Sequence, residues 1–178
     1  MAIPSTPEPA MQISVYQTVT TTATRGLTNL DAILDKAAAS AEARKFDPAI
    51  LLNARLAPDM FTLTRQVQIA ADFGKFMTAR LSGVDGPKFE DNETSFAELK
   101  ARIAKTLEFV RSVPESAYAG AEDRDLTVNA GPRKIDFKGL PYLVGYALPN
   151  FYFHLTTAYA ILRHNGVELG KNDFIGNP

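Results

Sequence analysis

Two histidines, His154 and His164, are the only imidazoles in this 178-residue chain, and it has no cysteine. Thiolate chemistry is therefore excluded, from disulfides and cysteine nucleophiles to thiolate zinc sites and iron–sulfur clusters. What chemistry remains centres on His154. It falls on the stripe Leu143, Ala147, Phe151, His154, Ala158, Ile161, whose spacing of three and four marks one face of a helix. Asn150 lies one turn earlier and Thr157 is on the same side, so all three side chains can meet. A buried imidazole must find hydrogen-bond partners, and Asn150 is the nearest in sequence. Such a histidine can be a satisfied core residue, one corner of a small-molecule pocket, or a metal ligand. His164 sits ten positions on, about 15 Å along a helix, so the two cannot hold one ion together. A site on His154 must recruit Asp59, Gln66, Gln68 or Asp72 from an earlier helix. Asp59 itself reads as a helix N-terminal acid or a partner of Arg55, with a general base as the alternative.

Bulk properties narrow the function further. Hydrophobic residues make up 46% and charged residues 22%, values of an ordinary globular domain. The net charge is −1 and no run of like charges occurs, which argues against a nucleic-acid footprint. No stretch approaches the roughly 18 apolar residues of a membrane span. Phosphate loops, GxGxxG, GxSxG and HExxH motifs are all missing. Residues 1–10, rich in proline and without an apolar core, are not a signal peptide. The expectation is a cytoplasmic protein with a disordered tail over 1–10 and one domain over 11–178.

The elements that position His154 follow from periodicity. A first helix runs from about Gln12 to Arg44 on the stripe Val15, Val19, Ala23, Leu27, Leu30, Leu34, Ala37, Ala41, with Gly26 and Thr20–Thr22 weakening its middle enough to permit a kink. After Asp47-Pro48 a second helical stretch extends to Leu81 and is interrupted by Pro58, giving a short helix to Leu56 and a longer one from near Pro58. Ser95 and Glu98 form a capping box for a third helix that Pro114 ends. Glu90, Asp91 and Glu93 precede it as a solvated acidic flank, and their spacing fits no calcium loop. Alternating residues on either side of Gly131-Pro132 predict a small β-hairpin. The last helix runs from Leu140 to Gly166 with a kink or break at Pro149. Phe174 and Ile175 dock the tail. Four helices of this length predict an antiparallel bundle.

Phe151, Tyr152 and Phe153 cover nearly every direction around that last helix. With Tyr159 they form a candidate homodimer surface.

Three segments carry a family resemblance: Leu51–Phe61, Lys88–Thr94 and Leu148–His154 with Ala160–Gly166. Together they resemble a bacterial family of unknown function grouped with the DinB/YfiT-like four-helix bundles. The resemblance implies a mostly α, DinB-like four-helix bundle in up-down-down-up order, with the hairpin between helices 3 and 4, and often a homodimer. Many members of that superfamily hold a divalent metal on three histidines, one from helix 2 and two one turn apart on the last helix, and some are thiol-dependent transferases. Here His154 matches the last of these, Asn150 stands one turn earlier, and Gln66 or Gln68 stands on helix 2. Amides are weak ligands for zinc or nickel. No cofactor is therefore expected, with a divalent metal as the alternative. The leading expectation is a small-molecule-binding bundle using Asn150, His154, Asp59, Gln66 and Thr157. The alternatives are a metal-dependent hydrolase or transferase with a remodelled site and an interaction dimer.

Overall fold

A computed structural model describes residues 13–176. The tail over residues 1–10 lies outside the described residues. The order is α1 (Val15–Ala43), α2 (Ala49–Leu52), α3 (Leu63–Ser82), α4 (Phe96–Ser112), a 3-10 turn (Glu115–Tyr118), β1 (Asp125–Ala130), β2 (Arg133–Lys138), α5 (Gly139–Tyr142), a π turn (Leu143–Ala147), α6 (Leu148–His164) and α7 (Lys171–Ile175).

The Ser14 hydroxyl starts α1 by accepting from the Gln17 N–H at 3.0 Å, which satisfies a donor that the first turn leaves free. All eight residues of its expected stripe are buried. The helix passes through Gly26 unbroken. Gly26 serves close approach instead. A Cβ on it would lie 2.7 Å from the Phe151 ring of α6.

The stretch around Pro58 differs from expectation. It is a turn, and α3 begins only at Leu63, with the Thr62 side chain as its cap. Leu63, Val67, Ala70, Met77 and Leu81 form its buried stripe, while Leu56 stays exposed. The capping box opening α4 is present in both directions: Glu98 N–H donates to the Ser95 hydroxyl at 3.2 Å, and Ser95 N–H donates to the Glu98 carboxylate at 3.0 Å.

Cross-helix contacts fix the directions. Gln66 meets His154 and Arg80 meets Tyr142, so α3 runs antiparallel to the α5–α6 segment. Gly26 faces Phe151 and Arg44 reaches the Asn165 carbonyl, so α1 and α6 run parallel. Asp72 pairs with Arg102 and Gly74 approaches Thr106, so α3 and α4 run parallel. The order is up-down-down-up. Parallel neighbours need a long return, and residues 83–95 supply it.

β1 and β2 pair antiparallel from Asp125↔Lys138 to Ala130↔Arg133, around the expected Gly-Pro turn. Val128 is buried and Phe137 packs on Tyr142 and Tyr146, which docks the hairpin on the bundle. Pro149 neither ends nor breaks the last helix. It lacks the N–H that would bond the carbonyl of Gly145, and the chain absorbs the mismatch as the π turn just before it. The tail docks through α7, with Phe174 edge-on to Tyr159 and its carbonyl accepting from Asn29 at 2.9 Å. Ile175 stays exposed. No helix among the described residues is long and apolar enough to cross a membrane.

Candidate functional site

His154 projects from the middle of α6 toward α3 and is 8% exposed. Its ring stacks on Phe73, with centroids 6.2 Å apart and planes 15° from parallel, and Phe153 meets it edge-on at 5.2 Å. The bonding partner is Gln66, not Asn150: Nδ1 lies 2.6 Å from the Gln66 Oε1. The Gln66 amide nitrogen donates to the Phe61 carbonyl at 3.4 Å, which turns the amide oxygen toward the ring. An acceptor opposite Nδ1 assigns the proton to Nδ1 and leaves Nε2 as an acceptor. Burial, and secondarily the positive Arg65, push the imidazole pKa from 6.5 down to about 4. The ring is therefore neutral at pH 7, with its tautomer fixed from behind.

Asn150 is occupied elsewhere. Its Nδ2 donates to the Tyr146 carbonyl at 2.7 Å, within its own helix and beside the π turn. The Thr157 hydroxyl likewise donates to the Phe153 carbonyl at 2.7 Å. Asp59 is exposed on the turn before α3. Arg55 donates to the carbonyls of Pro58 and Met60, at 3.3 and 3.2 Å, rather than to Asp59. Of the five residues proposed from sequence, only His154 and Gln66 bond to each other.

These donors do not fit a divalent metal. The set offers one imidazole and two amides, and the Asn150 amide nitrogen is engaged in its own helix. Among the described residues, no group of three or more His, Cys, Asp or Glu side chains is placed to hold an ion.

A second polar cluster escapes the sequence reading. Arg102, on the buried side of α4, has a side chain only 1% exposed. Its Nη2 donates to Asp72 at 2.8 Å, and its Nη1 to Asp91 at 2.7 Å and Glu93 at 3.0 Å. Arg65 donates to Asp91 at 2.7 Å and to Gln68 at 3.0 Å. The Gln68 amide donates to Glu93 at 2.8 Å, and Lys75 to Asp72 at 2.8 Å. The Phe89 ring lies against both Arg102 and Lys75, at 4.4 and 4.6 Å. Burial opposes the charge on Asp91 and Glu93, but the guanidiniums outweigh it and hold both carboxyls below their ordinary range. Of the expected solvated flank, Glu90 and Asp91 are exposed, but Asp91 and Glu93 also serve as counter-ions for a buried arginine. A signal was available, because Arg102 and Thr106 share a helix face with Leu99 and Val110.

The aromatic face of the last helix is also redrawn. Phe151 is fully buried against Gly26, and Tyr159 is partly covered by Phe174. Tyr152 and Phe153 remain exposed. Phe153 borders a groove of about 420 Å³ with Leu56, Tyr152, Thr156, Thr157 and Ala160.

Four helices in this order, with a docked hairpin before the last, define a DinB-like helical bundle. A crystal structure of a DinB family member protein from Shewanella denitrificans is similar to it. The TM-score is 0.86 at 45% sequence identity, and the match covers 92% of this chain and 93% of that one. The chain belongs to the family described as a domain of unknown function, DUF1993, whose model matches residues 15–175. No curated protein matches the chain.

Proposed function

We propose that the protein works as a self-associating bundle, two copies joining through the outer face of the α5–α6 segment. One observation carries this reading. From Gly139 to Leu162 there is no Asp, Glu, Lys or Arg, yet Val144 and Phe153 in that span are 58% and 55% exposed. A helix that faces water carries charge on its outer side. Charge depletion with Tyr and Phe is the composition of an interface centre.

The geometry favours a second copy as the occupant. α6 is about 25 Å long. Packed antiparallel on its own copy about a point between Thr156 and Thr157, it sets position 153 of one chain against position 160 of the other. Each Phe153 then enters the groove beside the other copy's Ala160, a self-complementary two-fold contact. Sedimentation equilibrium tests this. The wild type is expected to be a dimer, and Phe153→Lys a monomer with unchanged circular dichroism. A wild-type monomer at high micromolar concentration refutes the reading.

A second reading rests on His154. Its Nε2 is an acceptor with no hydrogen bond among the described residues, which suits a small molecule that donates a hydrogen bond. Imidazole ¹⁵N shifts during a screen of small donors test it. A set of donors that leaves the Nε2 resonance unmoved removes it.

A further inference from the structure

We propose that the cleft around Arg102 is an anion-binding site now filled by the protein's own loop, residues 83–95, with Asp91 and Glu93 in the places of an external dianion's oxygens. The inference is independent of the α6 face.

The division of labour between elements supports it. Every donor comes from a helix: Arg65, Gln68 and Lys75 from α3, and Arg102 from α4. Two of the three carboxylate acceptors, Asp91 and Glu93, come from the loop, and only Asp72 is on a helix. Without the loop carboxylates, three cations face one anion, leaving a charge of +2. Asp91 and Glu93 together supply −2. An external ligand of the same charge, a phosphate monoester or a dicarboxylate, balances the cleft equally well. Arginine forks suit both groups.

The loop also leaves a vacancy in the hydrogen bonding. The Arg102 Nε is buried and has no partner. Both loop carboxylates sit on Nη1, and Asp72 takes Nη2. Nε–H lies on the guanidinium edge it shares with Nη2, so a ligand oxygen seated beside Asp72 reaches it, which neither loop carboxylate on Nη1 does. Asp91 meanwhile holds a left-handed backbone at φ 53°, uncommon for a residue other than glycine. Phe89 closes the cleft over Arg102 and Lys75. The loop is thus a built-in competitor that an anion must displace.

The test uses the full chain with Asp91→Asn and Glu93→Gln together, which keeps shape and removes charge. Inorganic phosphate and succinate are the probes, with chloride at equal ionic strength as the control. The double variant is expected to gain roughly 3–6 °C in Tm at about a tenfold excess of probe over its Kd. Wild type should gain no more than with chloride. Adding Arg102→Met or Arg65→Gln should weaken binding at least tenfold by calorimetry. A response to phosphate alone assigns a phosphate monoester, and a response to succinate alone a dicarboxylate. A response equal to that with chloride, or one that survives Arg102→Met, overturns the proposal. Should the double variant not fold, Glu93→Gln alone, which retains Asp91 on both arginines, takes its place: a gain in Tm with phosphate or succinate supports the site, and a gain no larger than with chloride overturns it.

Discussion

His154 and Gln66 stand 88 positions apart in the chain and 2.6 Å apart in space, imidazole Nδ1 against amide Oε1. This contact joins α6 to α3 at a point where a polar pair replaces apolar packing between them. It also decides the chemistry of the ring. The amide oxygen fixes the tautomer, and burial keeps the ring neutral.

Stability should therefore fall with acid in a defined window. In the unfolded chain the imidazole takes up a proton as pH drops through about 6.5, whereas in the folded chain it does so only near 4. Between these values the unfolded state holds more protons, so acid favours unfolding. The stabilisation is complete above pH 6.5, declines toward 4, and from this group declines no further below that. The full effect is about 3 kcal/mol. Urea unfolding between pH 4.5 and 7 measures it. His154→Gln should flatten the slope, and an unchanged slope in that variant assigns the acid sensitivity to other groups.

The same contact predicts a gain of function. Side chains at 66 and 154 converge, and position 150 is one turn along the same helix. Gln66→His with Asn150→His would place three imidazoles where one stands now. Zinc and nickel favour such a set. The double variant should bind one metal per chain by elemental analysis, and lose it when His154→Ala is added. If it takes up no more metal than wild type, position 150 faces away from the point where 66 and 154 meet.

How legible this was depended on the distance over which each residue acts. The α1 stripe and the Ser95–Glu98 box were readable because their causes lie within one turn of helix. The start of α3 was misplaced because the turn around Pro58 runs on to the Thr62 cap, and no pattern announces a five-residue delay. The π turn is a local response to Pro149, but its form depends on the Tyr142–Tyr146 packing that holds the chain helical across it. Asn150 was the obvious partner for His154 by sequence spacing. Gln66 won because the helix–helix contact, not the helix itself, brings the two groups together. Gln66 is nevertheless among the earlier-helix residues that a site on His154 must recruit. Arg102 was missed because its three carboxylate partners come from another helix and a loop, so only its own position on a buried face marked it.

Gly26 gives a test of helix packing. Glycine inside a helix normally costs up to about 1 kcal/mol relative to alanine, so Gly26→Ala would ordinarily stabilise α1. Here the added Cβ lies 2.7 Å from two Phe151 ring carbons and 3.3 Å from Leu155. The ring is fully buried and cannot swing away. Overpacking should dominate, with a net loss of about 1–3 kcal/mol in chemical denaturation. A more stable variant would mean that α1 and α6 separate more easily than this packing implies. Adding Phe151→Leu should recover part of the loss.

The buried arginine cluster makes the opposite kind of test, in which removing one member is worse than removing several. Arg102→Met deletes the shared partner of Asp72, Asp91 and Glu93, and leaves Glu93 and Asp72 poorly solvated beside an apolar side chain. The expected loss is about 3–5 kcal/mol. If the loss came from missing contacts, further substitutions would deepen it. If it comes from uncompensated charge, neutralising the acids should reverse part of it. Arg102→Met with Asp72→Asn and Glu93→Gln should therefore be more stable than Arg102→Met alone, although it lacks more hydrogen bonds. A double-mutant cycle on Arg102 and Asp72 isolates the coupling. A coupling near zero would mean that Lys75, 2.8 Å from the same Asp72 oxygen, compensates the carboxylate by itself, and that Arg102 is held in place by the loop acids alone.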